Sequence, residues 1–202
     1  KTKIMKTTQN FKKGLTLFVL ALYITLSGMQ CEKDKNIPEI DKLPPPTQTG
    51  AYTFGCLVDG KAFMPRKSGW FSGPVLQGQY QYLTQNGQTG NYFAITASDQ
   101  KTYANEIRGV SITAQCVNLE TKTYPLDEYH TLFKLAGEYH ILDESLKFNT
   151  FTTDLINKGE LTITRFDDVN QIISGTFWFD AVNKDGVKVE VREGRFDVHF
   201  IK

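Results

Sequence analysis

Between Ala51 and the C-terminus, apolar residues return at every second position, in short runs set off by turn residues. Tyr52, Phe54, Cys56 and Val58 form the first run, and Asp59-Gly60 then supplies a dipeptide that matches the twist of a hairpin. A second run around Tyr80 and Tyr82 passes through Asn86-Gly87 into a third over residues 92–97. Val110, Ile112, Ala114 and Cys116 alternate with Ser111, Thr113 and Gln115, and Leu161 and Ile163 alternate with Thr162 and Thr164. Ile173, Gly175, Phe177, Phe179 and Ala181 share one face. Lys184-Asp185-Gly186 then turns the chain into Val187, Val189 and Val191, and Gly194 leads to Phe196, Val198 and Phe200. Period two places alternate side chains on opposite faces, so each run predicts a strand with one buried and one wet face. About ten such strands predict an all-β domain, an antiparallel meander forming a sandwich or a partly closed up-and-down barrel. Only residues 126–136 (LDEYHTLFKLA) carry a helix-like spacing, with Gly137 as a cap, which allows at most one short helix.

Upstream the pattern changes. Residues 32–50 (EKDKNIPEIDKLPPPTQTG) show no apolar periodicity, and Pro44, Pro45 and Pro46 favour a stiff, extended spacer. Residues 1–30 have three parts: lysines through Lys13, an uncharged apolar run over residues 15–26, and Ser27-Gly28-Met29-Gln30 before Cys31. The apolar run is shorter than the roughly 20 residues a membrane-spanning helix needs and suits the core of an export signal. Residues 26–31 resemble a lipobox, with Ser27 and Gly28 as its small residues, although Gln30 departs from the small residue usual before the cysteine. The expected organisation is therefore a lipoprotein signal peptide (1–30), a lipidated Cys31 with a proline-rich tether (31–50) and a single β domain (51–202). Met5 is the expected translation start. Acyl chains on Cys31, at about 0.8 kcal/mol per buried methylene, would hold such a domain at a membrane without a spanning helix.

Charge narrows the partners. The whole chain carries +1, but its five lysines in residues 1–30 face no acids there; without them 18 basic residues stand against 22 acidic ones, a net charge of −4. A mildly acidic domain without a basic stripe is a poor match for nucleic acid, whose binding rests on neutralised phosphates.

Several stretches carry a resemblance. Residues 43–50 (LPPPTQTG), 53–61 (TFGCLVDGK), 159–167 (GELTITRFD), 173–177 (ISGTF) and 194–197 (GRFD) resemble a family of small lipoproteins of unknown function from Bacteroidetes. The resemblance implies a cell-envelope location and no particular chemistry. Residues 31–35 (CEKDK) also resemble the charged start that directs such lipoproteins from the outer membrane to the cell surface.

Candidate chemistry is sparse. His130, His140 and His199 form no tight metal-binding pair, so no metal site is expected. No nucleophile elbow or phosphate loop occurs, no cofactor is implied, and Asp167-Asp168 sits where a turn favours aspartate for local bonding. Cys56 and Cys116 fall on apolar strand faces. In an oxidising compartment they are candidates for a disulfide, with two unbridged thiols as the alternative. Aromatic residues make up 12% of the chain, and Trp70, Phe71, Tyr80 and Tyr82 gather around the Gly/Pro-rich residues 68–74. That loop is either a contact site or a plug folded back on the sheet. The expected function is a non-enzymatic envelope domain that binds a ligand, a glycan or an envelope protein. The alternatives are a lipocalin-like carrier of a small apolar ligand and a structural accessory of an outer-membrane complex; an envelope hydrolase ranks last.

Overall fold

The computed structural model describes residues 37–69, 72–85, 87–101, 106–129 and 131–202. The export segment with Cys31 lies outside the described residues, as do Trp70, Phe71 and His130. The alternating runs become β1 (Thr53–Val58), β2 (Lys61–Phe63), β3 (Leu76–Gln85), β4 (Gln88–Asp99), β5 (Ile107–Gln115) and β6 (Thr123–Leu126). They continue as β7 (Leu135–Leu142), β8 (Phe148–Thr152), β9 (Gly159–Asp167), β10 (Ile172–Val182) and β11 (Lys188–Ile201). The sole helical element among the described residues is a 3-10 turn over Glu39–Lys42. The domain is thus all-β, as the periodicity requires.

All eleven strands join one sheet in the order β2-β1-β11-β3-β4-β5-β7-β6-β9-β10-β8. Additional β10–β11 and β7–β8 pairings partly close it into a ring. The barrel alternative therefore holds over the sandwich. Simple up-and-down order is broken twice, because β3 pairs with β11 and β6 pairs with β7 in parallel. Near Asp99 the ring is tied by the segment after β2: Arg66 N–H donates to Ser98 O, and Gln100 N–H donates to Arg66 O.

Inward positions of these strands fill the ring. Phe54, Phe63, Phe177 and Phe196 pack in a chain of rings with centroids 5.4–6.3 Å apart. Ile95, Ile112, Leu126, Leu161, Ile173, Phe179 and Val191 are sealed from water around them. A ligand-sized hollow would leave its lining open to water, so the centre is packed and offers no lipocalin-like cavity among the described residues. One end is closed by Tyr80, Phe166 and Phe200, with Tyr80 meeting both rings edge-on at 5.2 and 6.0 Å.

The one short helix that the spacing allowed over residues 126–136 is not formed by the described residues there. Leu126 ends β6 and Leu135 begins β7, both buried as inward strand residues, while the connecting Phe133 is exposed and has φ of 63°. Burying both leucines within two strands leaves no apolar stripe for a helix to use. The proline-rich stretch is likewise not a free spacer from Pro38 onward, since Pro38–Lys202 forms one compact unit. Glu39 Oε2 accepts the Ala62 N–H of β2 at 2.9 Å, Leu43 is buried, and Pro44 lies directly against Gly55.

The firmest of these attachments is polar. Asp197 faces outward from β11 yet is 0% exposed, because residues 47–51 cover it. Its carboxylate accepts bonds from Thr47 Oγ1 (2.7 Å), the N–H groups of Thr49 (2.8 Å), Gly50 (2.8 Å) and Ala51 (3.0 Å), and Ser174 Oγ (2.7 Å). Burial alone would raise its pKa. The bonds from Ala51, Ser174, Thr47 and Thr49 outweigh that and hold the carboxyl well below its ordinary range. Gly50 has φ of +77°, and a Cβ there would sit 2.7 Å from His199 Nε2, so only glycine fits the clamp.

Candidate functional site

At the end of the ring opposite Tyr80, strand ends from across the sheet leave a cleft of about 740 Å³. That volume falls within the range of small-molecule sites. Its apolar surface comes from Val58 of β1, Phe63 of β2, Tyr139 and Ile141 of β7, Phe151 of β8 and Val189 of β11. These are the last inward residues of their strands, and the apolar surface is therefore the outer layer of the core. The Tyr139 and Phe151 rings meet within it, centroids 5.7 Å apart and tilted by 43°.

Charged residues surround this surface: Lys42, Lys61, Arg66, Arg108 and Lys188 against Glu39, Asp59 and Asp99. The acids are largely spent locally. Asp99 is nearly buried and takes two bonds at 3.0 Å from Arg66 Nε, with Arg66 Nη2 completing the pair. Glu39 is bound by Lys42 at 2.7 Å and by the Ala62 N–H, and these bonds, in that order, hold its carboxyl below the usual range. Asp59 Oδ1 accepts the Glu190 N–H at 2.9 Å. Lys61 and Lys188 form no ion pair among the described residues. Arg108 reaches Glu106 at 3.1 Å through Nη2, and its enclosed Nε has no partner among the described residues. Burial raises the Tyr139 hydroxyl above its ordinary pKa, with Arg108 opposing, so the phenol keeps its proton at neutral pH.

A second, shallower concavity of about 580 Å³ lies on the outer face of β9, β10 and β11. Trp178 lines it, 42% exposed, with the Arg192 guanidinium 5.5 Å from its ring. Arg192 also binds Asp180 and the Phe179 carbonyl.

The described residues among those singled out from sequence do not converge. Tyr80 is half-buried against Phe166 and Phe200, and its hydroxyl accepts the Leu119 N–H at 3.2 Å, so it helps close that end of the ring. Tyr82 shares its strand face but lies where the β3–β4 hairpin runs past the ring, 73% exposed. Cys56 and Cys116 are both free thiols; the first is buried in the core, which pushes its pKa up, and the second lies beyond β5 beside Gly90. Asp167 is absorbed by its turn, bound first by the Asn170 side chain and N–H and then by Arg165, which holds it below the carboxylate range. His140 Nδ1 lies 3.0 Å from Glu138 Oε1, and His199 stands exposed on β11. Among the described residues no group of His, Cys, Asp and Glu could hold a metal ion. No described helix is long and apolar enough to cross a membrane.

Sequence reading missed Arg108 and Trp178, though each left a signal. Arg108 occupies the inward phase of the Val110, Ile112 and Ala114 alternation, and Trp178 occupies the outward phase between Phe177 and Phe179. A charge in the apolar register and a large ring in the polar register both break the binary pattern. Among known proteins, a family model described as a domain of unknown function, DUF6252, matches residues 82–198. No curated protein and no solved structure matches the chain.

Proposed function

Because the chain belongs to the DUF6252 family, a domain of unknown function, we propose its role from its own residues: a lipid-anchored envelope binding domain, not an enzyme. In this reading Cys31 is acylated after residues 1–30 are removed, the protein sits on the outer membrane, and the cleft holds a small ligand. The observation that carries the binding role is the cleft: roomy, apolar on its inner surface, and edged by Lys61 and Lys188, which form no ion pair among the described residues. The anchor is supported by the basic, apolar and small-residue segments that precede Cys31. The packed core moves any carrier role away from the ring's centre and onto this open end.

Two experiments test it. Metabolic labelling with a fatty acid should tag the wild type and leave Cys31→Ala unlabelled; labelling that persists in the variant refutes the anchor. A thermal-shift screen of envelope metabolites should find a ligand that stabilises the wild type and not Val187→Trp, which places a large ring at the exposed edge of the cleft. A ligand at 100 times its Kd adds about 2.7 kcal/mol of stability, an easily read shift. Hits indifferent to Val187→Trp would remove the cleft from the reading. A second reading, a glycan or protein contact on the outer face, is favoured by the exposed Trp178 with its stacked Arg192.

A further inference from the structure

The cleft's hydrogen-bonding groups are unevenly spent, and the imbalance has a sign. Three of its carboxylates are already bound, by Arg66, by Lys42 and the Ala62 N–H, and by the Glu190 N–H. Those bonds also occupy Lys42 and Arg66, but the other three cations keep capacity. Lys61 and Lys188 are unpaired among the described residues, and Arg108 uses one nitrogen of three. Tyr139 adds a hydroxyl with no hydrogen-bond partner among the described residues, on a side chain that is 4% exposed. Arg108 pairs with Ile141 across the β5–β7 ladder, which puts Tyr139 diagonally beside it on the same inward face. A guanidinium and a phenol so placed present donors to one anion. Arg108 Nε is an enclosed donor without an acceptor among the described residues, and such a donor is costly, so an acceptor there is favoured. Beside them lies apolar surface from Phe63, Phe151 and Val189.

We propose that the cleft takes a monocarboxylate with an apolar body, its carboxylate on Arg108 and Tyr139 and its body across Phe63, Phe151 and Val189. This inference rests on the cleft being the binding site and adds the class of ligand. Titration calorimetry of the full chain with octanoate, octanol and acetate separates the parts. Octanoate should bind, and octanol, which keeps the body, and acetate, which keeps the head, should each bind at least tenfold more weakly. Arg108→Gln should weaken octanoate at least tenfold and leave octanol unchanged. Tyr139→Phe, which keeps the ring in the core, should weaken octanoate several-fold. Octanol binding as tightly as octanoate, with both blocked by Val187→Trp, would overturn the carboxylate class and leave the cleft standing. Binding of octanoate that ignores all three variants would overturn the site. No binding of octanoate at millimolar concentration would overturn the ligand class, and the metabolite screen with Val187→Trp then decides the cleft separately.

Discussion

Replacing Asp197 tests the clamp that fastens residues 47–51 to the barrel. Its two oxygens serve six donors: Oδ2 accepts from Thr47, from both the N–H and the hydroxyl of Thr49 and from Ala51, and Oδ1 from Gly50 and Ser174. Asparagine fills the same space but turns one acceptor into a donor. The Thr47 and Ser174 hydroxyls can rotate to accept from it; the backbone N–H groups cannot. At least one N–H is then left unsatisfied beneath the covering segment, and the charge assistance of the remaining bonds is lost. With about 1–3 kcal/mol for an orphaned buried donor, Asp197→Asn should cost about 2–3 kcal/mol. Asp197→Ala, which also leaves a void, should cost about 3–5 kcal/mol, with undocking of the segment as the ceiling. For a domain of this size 2–3 kcal/mol lowers Tm by about 5–10 °C. The clamp is also pH-dependent with a definite sign. A carboxyl whose pKa is depressed by folding contributes stability above its unfolded value, near 4, and loses it as pH falls toward the folded value. The stability gap between wild type and Asp197→Asn should therefore be full at pH 7 and shrink below about pH 4, other carboxylates cancelling in the difference. Urea unfolding of both proteins from pH 7 to pH 3 measures this. A gap within about 0.5 kcal/mol at pH 7, or one that stays constant with pH, would refute the clamp.

The other consequences are simpler. Tyr80→Ala should cost about 3–4 kcal/mol because its ring packs on Phe166 and Phe200, whereas Tyr82→Ala should stay within about 0.5 kcal/mol; equal effects in thermal unfolding would reject the plug. Gly159→Ala should cost more than 2 kcal/mol or block folding, because a Cβ there would lie 2.2 Å from the Trp178 carbonyl oxygen; a variant with wild-type Tm would show that β9 and β10 are not so close. Native alkylation should modify Cys116 far faster than Cys56, whose buried thiol resists ionisation, and denaturation without reductant should free both; two protected cysteines after denaturation would mean a bridge.

The alternation of Phe54 with Cys56, of Ile173 with Phe177 and Phe179, and of Phe196 with Phe200 determined by itself that the chain is strand and which side of each strand is dry. That information is local, because a strand's two faces follow from parity alone. The hairpins at Asp59-Gly60 and Lys184-Asp185-Gly186 were legible for the same reason. Parity is silent on which strands become neighbours. The seam between β1 and β11, the parallel contact of β3 with β11, and with them the choice of ring over sandwich depend on pairings between residues more than a hundred positions apart. Residues 38–50 read as spacer because their attachment is to Asp197, about 150 positions away, and a run of prolines looks extended whether it is docked or free. The two tyrosines of β3 part on the same ground: Tyr80 and Tyr82 share a face, but the ring ends between them, so one packs against the core and the other is wet. The cleft is the extreme case, since Lys61, Arg108, Tyr139 and Lys188 come from β2, β5, β7 and β11 and meet only when the sheet curls. Side-chain parity is a property of neighbouring residues, whereas a site assembled from strand ends belongs to the closure of the sheet.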